Sequence, residues 1–457
     1  MFWPKQSGRV GLGLMSSETS ALWTRRWFLL ALLAAIALTS HVAFILGSPV
    51  WRQANRNPDY TNFYEPVARQ LAAGRGIYMP SGAPAIKYPP GIPMAYGATF
   101  WLADRTGLSH ETGVVALQGL LAILSGVLVA ALALQCYGPR VALLACFLWS
   151  TYPFHLWLTK ALSGETQAIV LLLSSVLAFA RWLATGRASL RWGCVCGAVL
   201  GLTALTKPFT IALPAVFVGL AWICDVPCNR KKRVVFSFAV LVGFALTISP
   251  WEVWAWRTSG QRIPLCTNGR ASLADGLTFG GLREKGRSTP HLPPRVAMLV
   301  DDLANHREEL KSYRGIARLL LAKTREEPMT VSCLFVIKAV QSWYSNDSHT
   351  HEKWAALIQL LYIPLFVFGA GLARLGNRQE KNFFLIAVGV TLYYWAMATF
   401  IAVAIVRYIV PPISLLMVLA GGAAGRIQPD LVHGLCQRSR AARHAQHHGD
   451  VQEQPQF

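Results

Sequence analysis

The chain predicts an all-α, polytopic membrane protein: a bundle of about ten transmembrane helices carrying two large extracytoplasmic loops. Three observations lead there. Of its 457 residues, 53% are hydrophobic and only 14% are charged, and the mean hydropathy of +0.38 is far above that of a soluble domain of this length. The apolar residues gather in runs close to the roughly 20 residues that cross a bilayer core. Lys and Arg concentrate in alternate connections between those runs.

In order, the apolar runs are 27–46, 113–136, 140–158, 166–184, 192–206, 209–224, 234–250, 354–373, 382–401 and 408–424. The fifth and sixth are short. Residues 93–103 are clipped by Pro93 and Asp104, and residues 329–345 contain Lys338, so both are expected to lie in the interface. Before the first span stand Lys5, Arg9, Arg25 and Arg26. Arg140, then Arg187 and Arg191, then Arg230 to Arg233, and finally Arg374 to Lys381 mark later connections on the same side. Excess positive charge marks the cytoplasmic face, which puts both termini inside and residues 47–112 outside. The organisation expected is a cytoplasmic segment 1–26, a membrane domain 27–250 with a first outer loop 47–112, an extracytoplasmic loop with interfacial helices 251–353, membrane helices 354–424, and a cytoplasmic basic tail 425–457. Within the second outer region, "HLPP" and the periodic "SYRGIARLLLAKTREEP" predict a small, partly helical lid over 251–328. The first span is too long to be a signal-peptide core, and "FILGSPVW" is a poor cleavage site.

The net charge of +21 calls for no nucleic acid, because much of it lies in cytoplasmic connections and in the tail "RSRAARHAQHH", beside anionic lipid. Nine cysteines, an odd number mostly in or near spans, give no disulfide framework, and "CDVPC" has no second pair to make a zinc site.

Asp, Glu, Lys and Arg avoid the middles of the expected spans, where an ion-coupled transporter places such groups. They stand at outer ends instead: Asp59 and Glu65 after the first span, Glu165, Lys207, Glu252 and Arg407 at later ones. A single charge at a membrane boundary is ordinarily a solvated or snorkelling side chain. Glu65, before Pro66, also suits a helix start. Gly193, Gly197 and Gly201 recur every four residues, a pattern for close helix packing.

Taken together, "DYTNFYEPVARQLAAGRGIY", "KYPPGIP", "SGETQAIVLLL", "GLTALTKP", "ISPWEVWAWRTSGQRIPLCTNG" and "VRYIVPP" run in order along most of the chain. They resemble blocks of the GT-C glycosyltransferases that use polyprenyl-phosphate sugars, among them protein O-mannosyltransferases and lipid A aminoarabinose transferases. The resemblance implies a GT-C-like architecture and an inverting, lipid-linked sugar transferase in the cytoplasmic (inner) membrane, its site facing the periplasm or exterior. It makes Asp59, which opens the first outer loop, the catalytic carboxylate. Glu165 falls at a second acidic position where Asp is commoner, and Tyr88 stands where some members have a cation, with Lys87 beside it.

The chemistry agrees. A hydroxyl acceptor needs a base within about 3 Å as it attacks the sugar C1, and a departing polyprenyl phosphate needs cations at headgroup depth. Lys207 and Arg407 suit that task, with Arg270 and Lys87 as further candidates. Tyr60, Tyr64 and Trp51 are candidates to border a sugar subsite. Mannose is the sugar suggested at family level. The partners expected are the bilayer, the polyprenyl-phosphate sugar and a protein, lipid or polysaccharide acceptor. No cofactor is predicted, and no metal site, although some relatives use a divalent metal. The rival readings are a polyprenyl-lipid carrier or flippase, which requires a hydrophilic path across the membrane, and a non-catalytic scaffold.

Overall fold

The computed structural model describes residues 17–47, 57–279, 292–346 and 351–426. Trp51, the N-terminal Lys5 and Arg9, and the basic tail lie outside them. Every regular element among the described residues is helical: α1 (Ser17–Gly47), α2 (Glu65–Ala72), α3 (Gly91–Thr106), α4 (His110–Cys136), α5 (Pro139–Ser150), α6 (Pro153–Leu158), α7 (Glu165–Thr185), α8 (Ser189–Thr206), α9 (Leu213–Ile223), α10 (Arg230–Ser259), α11 (Gly269–Leu277), α12 (Pro294–Asn305), α13 (Tyr313–Glu326), α14 (Pro328–Gln341), α15 (Glu352–Leu375), α16 (Arg378–Phe400) and α17 (Val410–Arg426).

Six of these, α4, α7, α8, α10, α15 and α16, are long and apolar enough to cross a membrane. The other expected spans correspond to shorter apolar helices, and two departures have local causes. The run 140–158 is two helices, because Pro153 forces Tyr152 into an extended conformation (φ −65°, ψ 119°) between α5 and α6. The run 234–250 continues to Ser259, with Pro250 inside α10, until Gly260 takes the left-handed conformation (φ 69°) that ends a helix. The helix therefore runs nine residues past the expected apolar run. The two segments expected at the interface are the helices α3 and α14.

The membrane core joins α1, α4, α5, α7, α8, α9, α10, α16 and α17 around Trp149, Trp182, Phe217, Phe236 and Tyr394. Trp182 stacks on Phe236 with ring centroids 3.8 Å apart. The closest helix pair is α8 on α10, and the four-residue glycine spacing is its cause. A Cβ on Gly197 would overlap the Val240 carbonyl oxygen, and one on Gly193 would lie 2.7 Å from the Phe236 carbonyl. Helices that gain no hydrophobic drive from lipid associate through such close backbone contact.

Three smaller cores sit apart from the membrane core, the smallest packing Trp251, Ala255 and Leu265 against Ala204 and Leu205 at the ends of α10 and α8. Tyr60, Phe63, Tyr64, Val67, Tyr96 and Phe100 pack α2 and the turn before it onto α3. Leu277, Leu299, Leu303, Leu310, Ile316 and Leu334 unite α11 to α14 as a separate small helical unit.

Gly197→Val is expected to prevent assembly, measured as loss of monodisperse protein after detergent extraction, because overpacking a backbone contact costs about 1–3 kcal/mol or more. Gly119→Val, where no atom lies within 4 Å of a new Cβ, should behave as the unsubstituted protein. Equal yields for the two variants would contradict the packing role.

Candidate active site

The connection between α6 and α7 is held by the segment before α2 and by α3 and α4. Asn57 Nδ2 donates to the Leu162 carbonyl (3.2 Å), and Tyr96 Oη and Gln118 Nε2 both donate to the Ser163 carbonyl (3.0 and 2.5 Å). Gly164 leaves room for Ile92, whose side chain would overlap any Cβ there. These contacts fix the segment that delivers Glu165.

Glu165 is the first residue of α7, where the helix N-terminus favours a carboxylate. Its side chain is 2% exposed. Oε1 accepts from Lys207 Nζ at 2.6 Å, and Arg407 Nε lies 3.9 Å away. Lys207 is where it is because Pro208 ends α8 and leaves Lys207 extended (φ −133°, ψ 101°). Arg407 lies in the short 3₁₀ turn Val406–Tyr408 between α16 and α17, tied to the rest by Val406 N–H donating to the Ser345 carbonyl at 2.8 Å. Lys207 and Arg407 are 14% and 19% exposed, so the cations reach the surface while the carboxylate between them does not.

Asp59 begins the turn that leads into α2. The turn is started by Asn57 Oδ1, which accepts from Tyr60 N–H at 2.9 Å. Asp59 is half-buried, and Tyr88 Oη donates to its Oδ1 at 2.7 Å. Tyr88, which stands where some members of the resembled families have a cation, thus holds the Asp59 carboxylate in this structure. Tyr64 links the two acidic sites: burial pushes its phenol up first, and the charges of Asp59 and Glu165 push it further.

The remaining candidates stand in other surroundings. Tyr60 and Tyr64 are core residues, 0% and 5% exposed, with Tyr60 edge-on to Tyr96; they offer a sugar no open face. Lys87 is exposed, its Nζ 5.3 Å from the Tyr88 ring centre. Arg270 is in the small helical unit, where it donates to the Leu310 carbonyl at 2.8 Å. Glu65 pairs with Arg69 one turn along α2 (2.7 Å). Glu252 accepts from Leu265 N–H at 2.7 Å, a loop-fixing contact. Among the described residues, no three His, Cys, Asp or Glu side chains converge to hold a metal.

Asn57, Tyr96 and Gln118 are the positioning residues that sequence reasoning passed over. Gln118 had a usable signal, an amide near the start of an otherwise largely apolar span. Asn57 and Tyr96 had none, since their partners are carbonyls more than 60 residues away.

The family described as dolichyl-phosphate-mannose-protein mannosyltransferase matches residues 89–254. That segment holds Glu165 and Lys207 and leaves Asp59 and Arg407 outside. Among solved structures, the chain is similar to the archaeal oligosaccharyltransferase AglB from Archaeoglobus fulgidus in complex with an inhibitory peptide and a dolichol-phosphate, with 13% identity, 92% of this chain and 52% of that one covered, and a TM-score of 0.54. The apo form of the Archaeoglobus fulgidus oligosaccharyltransferase gives 11% identity, the same coverage and a TM-score of 0.56. The chain spans about half the length of that protein. At such identities the likeness is one of fold, and the fold is of the GT-C type. No curated protein matches the chain.

A buried ion pair broken on one side leaves an uncompensated charge, at a cost of about 3–5 kcal/mol. Glu165→Gln and Lys207→Gln are each expected to lower the thermal midpoint followed by tryptophan fluorescence. The double variant should lose clearly less than the sum, because the two changes remove one interaction. Strictly additive losses would mean the pair is not coupled.

Proposed function

We propose that the protein is a membrane glycosyltransferase that moves a sugar from a polyprenyl-phosphate donor to an acceptor hydroxyl on the extracytoplasmic side, with inversion at C1; mannose is the sugar that the matched family's description favours. The observation that carries this reading is the pairing of two acidic stations of unequal character. Glu165 is enclosed and spent on two cations, whereas Asp59 is reachable and held by a neutral hydroxyl.

The roles divide accordingly. Asp59, oriented by Tyr88, takes the proton of the acceptor hydroxyl as its oxygen attacks C1 from the face opposite the phosphate. The C1–O bond to phosphate breaks, and its electron pair stays with the polyprenyl phosphate. Lys207 and Arg407 bring two positive charges against the single negative charge of Glu165, and the surplus meets the charge that grows on the leaving phosphate. Fixed charge of this kind in a poorly solvated site stabilises the transition state without reorganisation. Glu165 is a positioning residue in this scheme, because its oxygen already accepts from Lys207. Lys87, exposed beside Tyr88, is a further cation for the donor.

The membrane orientation inferred from charge asymmetry, with 1–26 and 425–457 inside and 47–112 and 251–353 outside, places all of these groups on one face. The dolichol-phosphate in the archaeal neighbour and the description of the matched family support the donor class.

The test is Asp59→Asn, which preserves shape but cannot take a proton. With purified protein and a labelled polyprenyl-phosphate sugar, transfer should fall roughly 10²- to 10⁴-fold while donor binding persists. Transfer at the rate of the unsubstituted protein would remove Asp59 from the mechanism, and translocation of the donor without any sugar release would replace the enzyme by a carrier.

A further inference from the structure

A cavity of about 290 Å³ opens in the small helical unit, away from the Glu165 cluster, and its lining includes Arg270, Arg307 and Lys311 with Asp275 as the one acidic residue among them. Arg270 is anchored: one N–H donates to the Leu310 carbonyl at 2.8 Å, which leaves the other donors of a five-donor fork for a ligand. Arg307 and Lys311 are exposed at the rim. Lys311 also pairs with Glu308 at 2.6 Å, but both partners are more than half exposed, and such pairs contribute little. Asp275, by contrast, is buried. The cavity therefore presents an excess of guanidinium and ammonium groups converging from α11 and from the turn between α12 and α13.

Its location gives that charge a meaning. The helix α11, which supplies Arg270 and Asp275, touches at its two ends backbone that adjoins the two parts of the candidate active site. Immediately before it, Thr267 N–H and Asn268 N–H donate to the carbonyls of Ile86 and Lys87 (3.1 and 3.2 Å), next to the Tyr88 that orients Asp59. At its far end, Gly276 is so close to the Ala402 carbonyl that a Cβ would stand 2.5 Å from it, five residues before Arg407. A ligand seated against α11 is thus held near the segment that carries Tyr88, which orients the base, on a separate element from the cations assigned to the donor.

We propose that this cavity is the acceptor's subsite and that it takes an acceptor bearing an oxyanion, a phosphate or carboxylate, near the hydroxyl to be glycosylated. The proposal rests on the glycosyl-transfer reading for the word acceptor, but the anion site itself can be measured without turnover. Arg307 and Lys311 reach for the oxyanion from the rim and Arg270 receives it at the wall, a multi-point arrangement suited to a planar or tetrahedral anion.

Full-length protein in phosphatidylcholine nanodiscs, titrated with inorganic pyrophosphate at low salt, tests it. The unsubstituted protein should bind, and the pair Arg307→Gln with Lys311→Gln should bind at least about tenfold more weakly, since two charge-assisted contacts are lost. The charge-preserving pair Arg307→Lys with Lys311→Arg should stay within about threefold of the parent. Equal binding by the parent and the Gln pair overturns the proposal, as does an equal loss in the charge-preserving pair. Repeating the titration in nanodiscs containing phosphatidylglycerol separates the sources. Loss of pyrophosphate binding by the parent there identifies the oxyanion with a lipid headgroup, and retention identifies it with a soluble acceptor. Donor consumption by the parent is assayed separately, so that failure of the transfer reading leaves the titration result intact.

Discussion

Three charges from distant parts of the chain meet in one place: Glu165 at the head of α7, Lys207 at the end of α8, and Arg407 between α16 and α17. A carboxylate that is 2% exposed is stable only when compensating charge reaches it, and here both compensating groups come from connections where regular structure stops. The cluster is therefore a constraint on three loops at once. Pro208 must end α8 where it does, the 3₁₀ turn at Val406 must stay docked on Ser345, and the segment before Glu165 must be held by Asn57, Tyr96 and Gln118. In the proposed mechanism the same arrangement leaves a surplus positive charge facing outward, which is where a phosphate leaving group needs it.

The first outer loop answers to a second, apolar constraint. Five of its aromatic side chains are core. Tyr60, Phe63, Tyr64 and Tyr96 bury the turn that holds Asp59, and Tyr88 spends its hydroxyl on that carboxylate. A polar, proline-rich loop next to a membrane can hold a carboxylate in a defined orientation because an aromatic cluster beneath it supplies the rigidity that isolated loops lack. The small helical unit α11 to α14 has its own core and, through the ends of α11, touches the backbone at Ile86, Lys87 and Ala402, which is why the proposed acceptor subsite is drawn there.

Much of this was legible in the sequence, for reasons that can be stated. Asp59, Glu165, Lys207 and Arg407 stand out because ionisable groups are costly near hydrocarbon, so their confinement to one set of span ends is informative. The glycine spacing in α8 foretold a close helix contact because only a missing Cβ permits it. What could not be read was pairing. Lys207 and Glu165 are 42 residues apart, and no local pattern says that one answers the other. Tyr88 looked like a substituted phosphate ligand because its partner, 29 residues earlier, is set by the fold of the loop. Tyr60 and Tyr64 looked like sugar contacts because interfacial aromatics and loop-core aromatics have the same composition. The break at Pro153 was written in the sequence and was outweighed by the apolar run around it.

The account stands on Lys207 and Arg407 meeting the donor phosphate while Glu165 holds them together. The most direct measurement is an electron cryo-microscopy structure of the full-length protein in nanodiscs with a polyprenyl phosphate bound. The phosphate should lie within hydrogen-bond distance, about 2.7–3.2 Å, of Lys207 Nζ or the Arg407 guanidinium, on the side of the cluster that faces Asp59. A phosphate bound elsewhere, with the Glu165 cluster untouched, would reduce that cluster to a structural lock and contradict the mechanism.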